Sequence, residues 1–139
     1  MNPINRKALS AALLSISLVA CAGMSGAGGV KLSGEQEVPP VTTAATGEAR
    51  ISVAQDGSVS GAVTTSGLEG TMAHIHWAAA GKNGPVVVPL TQTAPGQWSV
   101  PAGAKLTPEQ LKAYQAGEMY VNVHSAANKP GEIRAQLKP

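Results

Sequence analysis

From Val30 onward the apolar positions of the chain recur mostly at every second residue and in short runs, the period of a β-strand rather than a helix. Glu48 to Ala54 sets Ala49, Ile51 and Val53 against Glu48, Arg50 and Ser52. Asp56-Gly57 then supplies a hairpin turn, and Ser58 to Thr64 returns with Val59, Gly61 and Val63 inward. Further short strands are predicted at Val30–Ser33, Thr71–Trp77, Val86–Leu90, Gln97–Val100, Glu118–His124 and Glu132–Leu137. Pro39 and Pro40 cannot donate ladder hydrogen bonds, so the stretch around them is an edge or an extended loop. One segment carries helix signals instead: Thr107 as N-cap, Pro108 at the first helical position, Glu109 in the first turn, Gln110 completing a capping box and Gly117 as terminator. The pattern as a whole predicts an all-β fold, an antiparallel Greek-key β-sandwich or barrel of about eight strands with one short helix.

Composition supports this. The chain has 139 residues, about one domain's worth, with 16 glycines, 10 prolines and no phenylalanine. Its formal charge of +2 rests on Arg6 and Lys7; without them Lys plus Arg equal Asp plus Glu. A neutral domain lacks the basic patch that a nucleic-acid partner requires.

Those two cations open a segment that reads as a targeting signal. Ala8 to Val19 is an apolar stretch too short to span a bilayer comfortably, and it ends in L-V-A-C, Leu18 to Cys21, which resembles the bacterial lipoprotein lipobox. The resemblance implies a signal peptide over residues 1–20, a lipidated Cys21, and sorting to the outer membrane, facing the periplasm, because Ala22 and not an aspartate follows the cysteine. Residues 21–30 then hold the lipidated cysteine and a glycine-rich flexible linker, and residues 31–139 form the domain. Cys21 is the only cysteine, so the domain has no disulfide to draw on.

The candidate chemistry lies in A-H-I-H-W, Ala73 to Trp77, and V-N-V-H, Val121 to His124, which contain all three histidines. Strand alternation puts His74 and His76 on one face, and it groups Tyr120, Asn122 and His124 likewise. If Ile75, Val121 and Val123 face the core, the three imidazoles stand on the outer face, and neighbouring strands would make of them a nitrogen cluster that copper or zinc favours. Met72 shares the His74 face and offers either a soft sulfur to copper(I) or ordinary packing. Asn122, Glu132, Arg134 and Gln136 are candidates to orient the imidazoles, or members of an ordinary polar strand face. Glu35 and Glu37 read as solvated loop charges, and Trp77 and Trp98 as core volume. The bland alternative for the histidines is a hydrogen-bonded surface cluster that joins loops. No glycine-flanked nucleophilic serine and no phosphate-binding glycine loop is present.

Four blocks carry a family resemblance: L-S-G-E-Q-E-V-P-P-V-T-T-A-A-T-G-E-A, A-H-I-H, G-P-V-V-V and Y-V-N-V-H-S-A-A-N-K-P-G-E-I-R-A-Q-L, in order from Leu32 to Leu137. They resemble the CHRD (chordin-type) domain, whose single-domain bacterial members are secreted or lipid-anchored. The H-x-H strand and the later V-x-H strand are also similar to the copper-ligand strands of the copper/zinc superoxide dismutase barrel, which implies a copper site at His74, His76 and His124 and a substrate-guiding part for Arg134. A fourth, bridging histidine, an acidic zinc loop and the disulfide of that family are missing, which counts against a zinc site and a dismutase-like redox enzyme. The expectation is therefore a cell-envelope lipoprotein, held to the membrane by its lipid, that binds copper for storage, delivery or tolerance. The competing expectation is a metal-free envelope module that binds a protein partner; enzymatic activity stays open.

Overall fold

The computed structural model describes residues 28–139; the expected signal peptide of residues 1–20, the expected lipidation at Cys21 and most of the expected linker of residues 21–30 lie outside them. The elements are β1 (Val30–Ser33), a short 3-10 turn (Gly34–Gln36), β2 (Thr46–Val53), β3 (Val59–Ser66), β4 (Gly70–Trp77), β5 (Val86–Pro89), β6 (Thr91–Ala94), β7 (Gln97–Ser99), α1 (Pro108–Gln115), β8 (Met119–Ser125) and β9 (Ile133–Gln136). All nine strands join one sheet in the order β5-β4-β8-β9-β1-β2-β3-β7-β6, and every pairing is antiparallel. The non-sequential order arises from two crossovers, the short one from β3 to β4 through Gly67, Leu68 and Glu69 and the long one from β7 through α1 to β8.

The outermost strands, β5 and β6, are consecutive in the chain and separated only by Leu90, whose N–H donates to the Ala73 carbonyl at 2.9 Å. The sheet thus curls until its two ends meet, and a nearly closed barrel results. Closure removes most of the unpaired strand edge that an open sheet would present to solvent. β1 lies between β2 and β9, with Ser33 opposite Arg134, so the first and last strands of the domain run side by side.

The interior takes the apolar positions that alternation assigns to it. Leu32, Ala49, Ile51, Val63, Ile75 and Val121 are almost wholly buried, and burying such side chains is worth about 1.5–3 kcal/mol each for the larger ones. Trp98 joins them, whereas Trp77 is half-buried at the margin. The hairpin of β2 and β3 forms as the sequence predicts, with Val53 opposite Val59. Its inner row is broken at Gly61, which is exposed and not inward; its φ is +129°, and a Cβ there would lie 2.0 Å from the Arg50 carbonyl oxygen. α1 carries the full capping box: the Thr107 hydroxyl accepts from the Gln110 N–H at 3.2 Å, and the Gln110 side chain accepts from the Thr107 N–H at 2.9 Å.

The expected all-β fold of about eight strands is present, and two features go beyond the sequence reading. Among the described residues there are nine strands: β6, T-Q-T-A, has no buried apolar residue and so leaves no alternating trace. The outer face of β4 and β8 is also largely covered, with Met72 left exposed at its margin. All seven residues of β8 are buried, because three loops fold over its polar side: the segment holding Glu37, the β4–β5 loop and the β8–β9 loop. Asn83 stitches two of them together, donating to the Val38 carbonyl at 2.9 Å.

Candidate metal centre

The centre is a product of register. β4 and β8 pair with Met72 opposite His124, His74 opposite Asn122 and His76 opposite Tyr120. Residues directly opposite in antiparallel strands share a face, so two imidazoles from β4 and one from β8 meet beneath the covering loops. His76 and His124 are 8% and 7% exposed, and His74 is half-buried. One ring nitrogen from each of the three lies within 4.8 Å of the others. Nitrogens bound to one ion sit at most about 4 Å apart, so the three donors stand close to that spacing, with His74 between the other two rings.

Backbone carbonyls set the tautomers. A carbonyl only accepts, so the ring nitrogen facing it must carry the proton. His76 Nδ1–H donates to Gly84 O at 2.9 Å, and His124 Nδ1–H donates to Lys129 O at 2.7 Å. Both rings are left with a bare Nε2. That of His76 is buried without a partner, and that of His124 accepts from His74 Nδ1–H at 3.0 Å. Imidazoles oriented by a carbonyl on one nitrogen and free on the other are what a metal-ligating histidine requires. His74 can offer Nδ1 once its own proton sits on Nε2. Burial, followed by the neighbouring His124, holds His74 below the ordinary imidazole range. Burial likewise holds His76 low, against the opposing Gly84 hydrogen bond. Two of the three rings are therefore neutral at pH 7, the form that binds metals.

Around the imidazoles lies a second, polar core. Arg134 and Glu37, each 4% exposed, form an ion pair at 3.1 Å. The guanidinium also donates to Lys82 O at 3.0 Å and to the Asn83 side chain, and its Cζ sits 3.8 Å above the Tyr120 ring centroid. Tyr120 in turn stacks on His76, centroids 4.7 Å apart and planes within 3°. Arg134 thus bears on the histidines through Tyr120, while its Nε, Nη1 and Nη2 donate to Glu37, Lys82 and Asn83. Glu37 is not a solvated loop charge. Burial pushes its carboxyl above the ordinary range, more than Arg134 pulls it down.

Glu132 does not reach the imidazoles. Its carboxylate accepts from Thr43 at 2.7 Å and from the Ser125 hydroxyl; burial opposes ionisation there, but hydrogen bonds from Ser125, Thr43 and Asn128 outweigh it and hold the group below the usual carboxylate range. Gln136 donates to Ala78 O and Gly117 O, pinning two loops. Asn122 is the one of these polar residues that lies among the rings: it faces His74 across the strand pair, donates to Pro130 O at 3.4 Å, and helps hold the Glu37 carboxyl down.

Two glycines make the enclosure possible. A Cβ at Gly84 would lie 1.8 Å from Trp77 O, so only glycine brings the carbonyl that orients His76 so close to β4. Gly131, at φ +137°, leaves room for Glu37 and Asn122; a Cβ there would be 2.5 Å from Glu37 Oε1 and 2.6 Å from Asn122 Nδ2. Tyr120 and Glu37 are the contributors that sequence reasoning misses. Tyr120 had a signal, since alternation puts it on the histidine face.

Among the described residues no helix is long and apolar enough to cross a membrane. In comparison with known proteins, residues 29–137 match the family model of the CHRD domain. No curated protein and no solved structure matches the chain.

Proposed function

The chain belongs to the CHRD domain family, and from that premise we propose that its three-histidine cluster binds a copper ion and that the protein stores, delivers or guards against copper in the cell envelope. One observation carries the proposal: backbone carbonyls hold Nδ1 of His76 and of His124, which leaves each a bare Nε2, and one ring nitrogen from each of the three histidines lies within 4.8 Å of the others. An all-nitrogen, uncharged donor set suits copper, which also stands above zinc in affinity for most nitrogen sites. No carboxylate belongs to the three-histidine group: Glu132 is engaged by Thr43 and Ser125, and Glu37 is paired through Oε2 with Arg134. A bound copper ion supplies a Lewis-acidic, redox-capable centre; the protein's own residues orient the rings, keep them neutral and screen them from bulk water. The lipobox-like Leu18–Cys21 motif extends the proposal to a lipid-anchored protein at the outer membrane, facing the periplasm, and metabolic labelling with a fatty acid, abolished by Cys21→Ser, tests that part.

The metal reading is tested by titrating copper(I) and copper(II) into the protein beside a His74→Ala, His76→Ala, His124→Ala variant. One copper per chain, lost in the variant, is the expected result. Equal weak binding by both proteins would sink it and leave the histidines as loop ties, with a protein partner as the role to pursue.

A further inference from the structure

We infer that Met72 makes this centre selective for copper(I), as a thioether ligand at its mouth; the inference rests on the metal-binding role proposed above. Met72 sits directly opposite His124 and two residues before His74, on the same face of β4. Cβ atoms of such opposed residues are about 4.5–5.5 Å apart, well within reach of a methionine side chain. The β4–β8 register shifts between Gly70 and Met72, and a bulge of this kind re-aims the side chain that follows it. Met72 is 50% exposed although the domain's other described methionine, Met119, is buried at 1%. It is therefore not packing, and among the described residues it is the one sulfur that solvent reaches. His74, its neighbour along the strand, is the least buried of the three histidines, so the cluster opens on the Met72 side.

Charge points the same way. A metal-ligating imidazole brings no charge of its own, the buried carboxylate of Glu37 is paired with Arg134, and that of Glu132 is engaged by Thr43 and Ser125. Nothing anionic is left over to compensate a cation. A monovalent ion leaves one uncompensated charge under the loops and a divalent ion leaves two, and the cost of enclosing charge rises steeply with its size. Copper(I) is both the monovalent choice and the soft one that a thioether prefers; zinc(II) and copper(II) gain little from the sulfur.

The test compares wild-type protein with Met72→Leu, a substitution of similar volume at an exposed position. Copper(I) affinity is measured without oxygen against a chromophoric copper(I) chelator, and zinc(II) and copper(II) affinities are measured in parallel. Copper(I) affinity is expected to fall by about tenfold or more, as when a metal centre loses a supporting group, with zinc(II) and copper(II) unchanged. X-ray absorption of the copper(I) form is expected to lose a sulfur scatterer in the variant. Unchanged copper(I) affinity, or an equal fall for all three ions, overturns the role of Met72 while the three-histidine centre stands. Absence of any copper binding by the wild type overturns the centre itself, and the two failures are thereby told apart.

Discussion

Arg134 and Glu37 show how far one buried pair can govern a site it does not touch. Arg134→Met leaves the Glu37 carboxylate enclosed beside Asn122 with its counter-ion gone, and such a loss costs about 3–5 kcal/mol; urea unfolding should show it. The double variant Glu37→Met, Arg134→Met is expected to recover much of that, because two well-packed apolar side chains often replace a buried pair at little cost. The histidines give a second prediction. His74 and His76 titrate below their ordinary value in the fold, so the unfolded chain takes up more protons once the pH falls beneath about 6.5. The metal-free domain therefore keeps this contribution to stability above that pH and loses it as the pH drops toward the folded values. Thermal melts at pH 7.5 and 5.5 should differ by a few degrees or more, and a His74→Asn, His76→Asn variant should narrow the difference. At this scale the sequence is informative about the histidines, since H-x-H and V-N-V-H in strands fix their common face. It is silent about Glu37, which lies 97 residues from its partner in a proline-flanked loop. Nothing local distinguishes it from a solvated charge.

Strands and helix follow their local chemistry closely, and loops do not. The Thr107–Gln110 capping box was legible because both partners lie within one turn, and Thr107→Ala is expected to lower stability by about 1 kcal/mol, read from the urea midpoint. β6 escaped because an edge strand with exposed T-Q-T side chains has no buried face to impose alternation. The β4–β5 loop is more consequential. Its residues look like a plain turn, A-A-A-G-K-N-G-P, yet Gly84 orients His76 while Lys82 and Asn83 grip Arg134. Gly84→Ala drives a methyl group against Trp77 O and displaces the orienting carbonyl. Metal affinity should drop by roughly 10- to 100-fold, the usual consequence of disturbing a ligand's supporting hydrogen bond, in the same chelator competition.

For the molecule as a whole, the proposed metal would be linked to the fold, because the three histidines come from two strands whose pairing belongs to the folded state. A metal held at 100 times its dissociation constant adds about 2.7 kcal/mol to stability; the melting temperature should rise on loading and return on chelation, and the triple histidine variant should show neither change. The class of fold was readable from period-two patterning and turn residues. The strand order was not, because it depends on crossovers such as β3 to β4 that bring together segments with no local sign of one another. That order also decides how the domain could be wired into something larger. β1 begins at Val30 and β9 ends at Gln136 on the same side of the barrel, since the two strands run antiparallel with Ser33 opposite Arg134. The Met72–His124 row lies on the other side of that level. Both leads of the domain leave together, so it can be grafted into a surface loop of a carrier protein with short linkers, like a cartridge whose working end stays outermost.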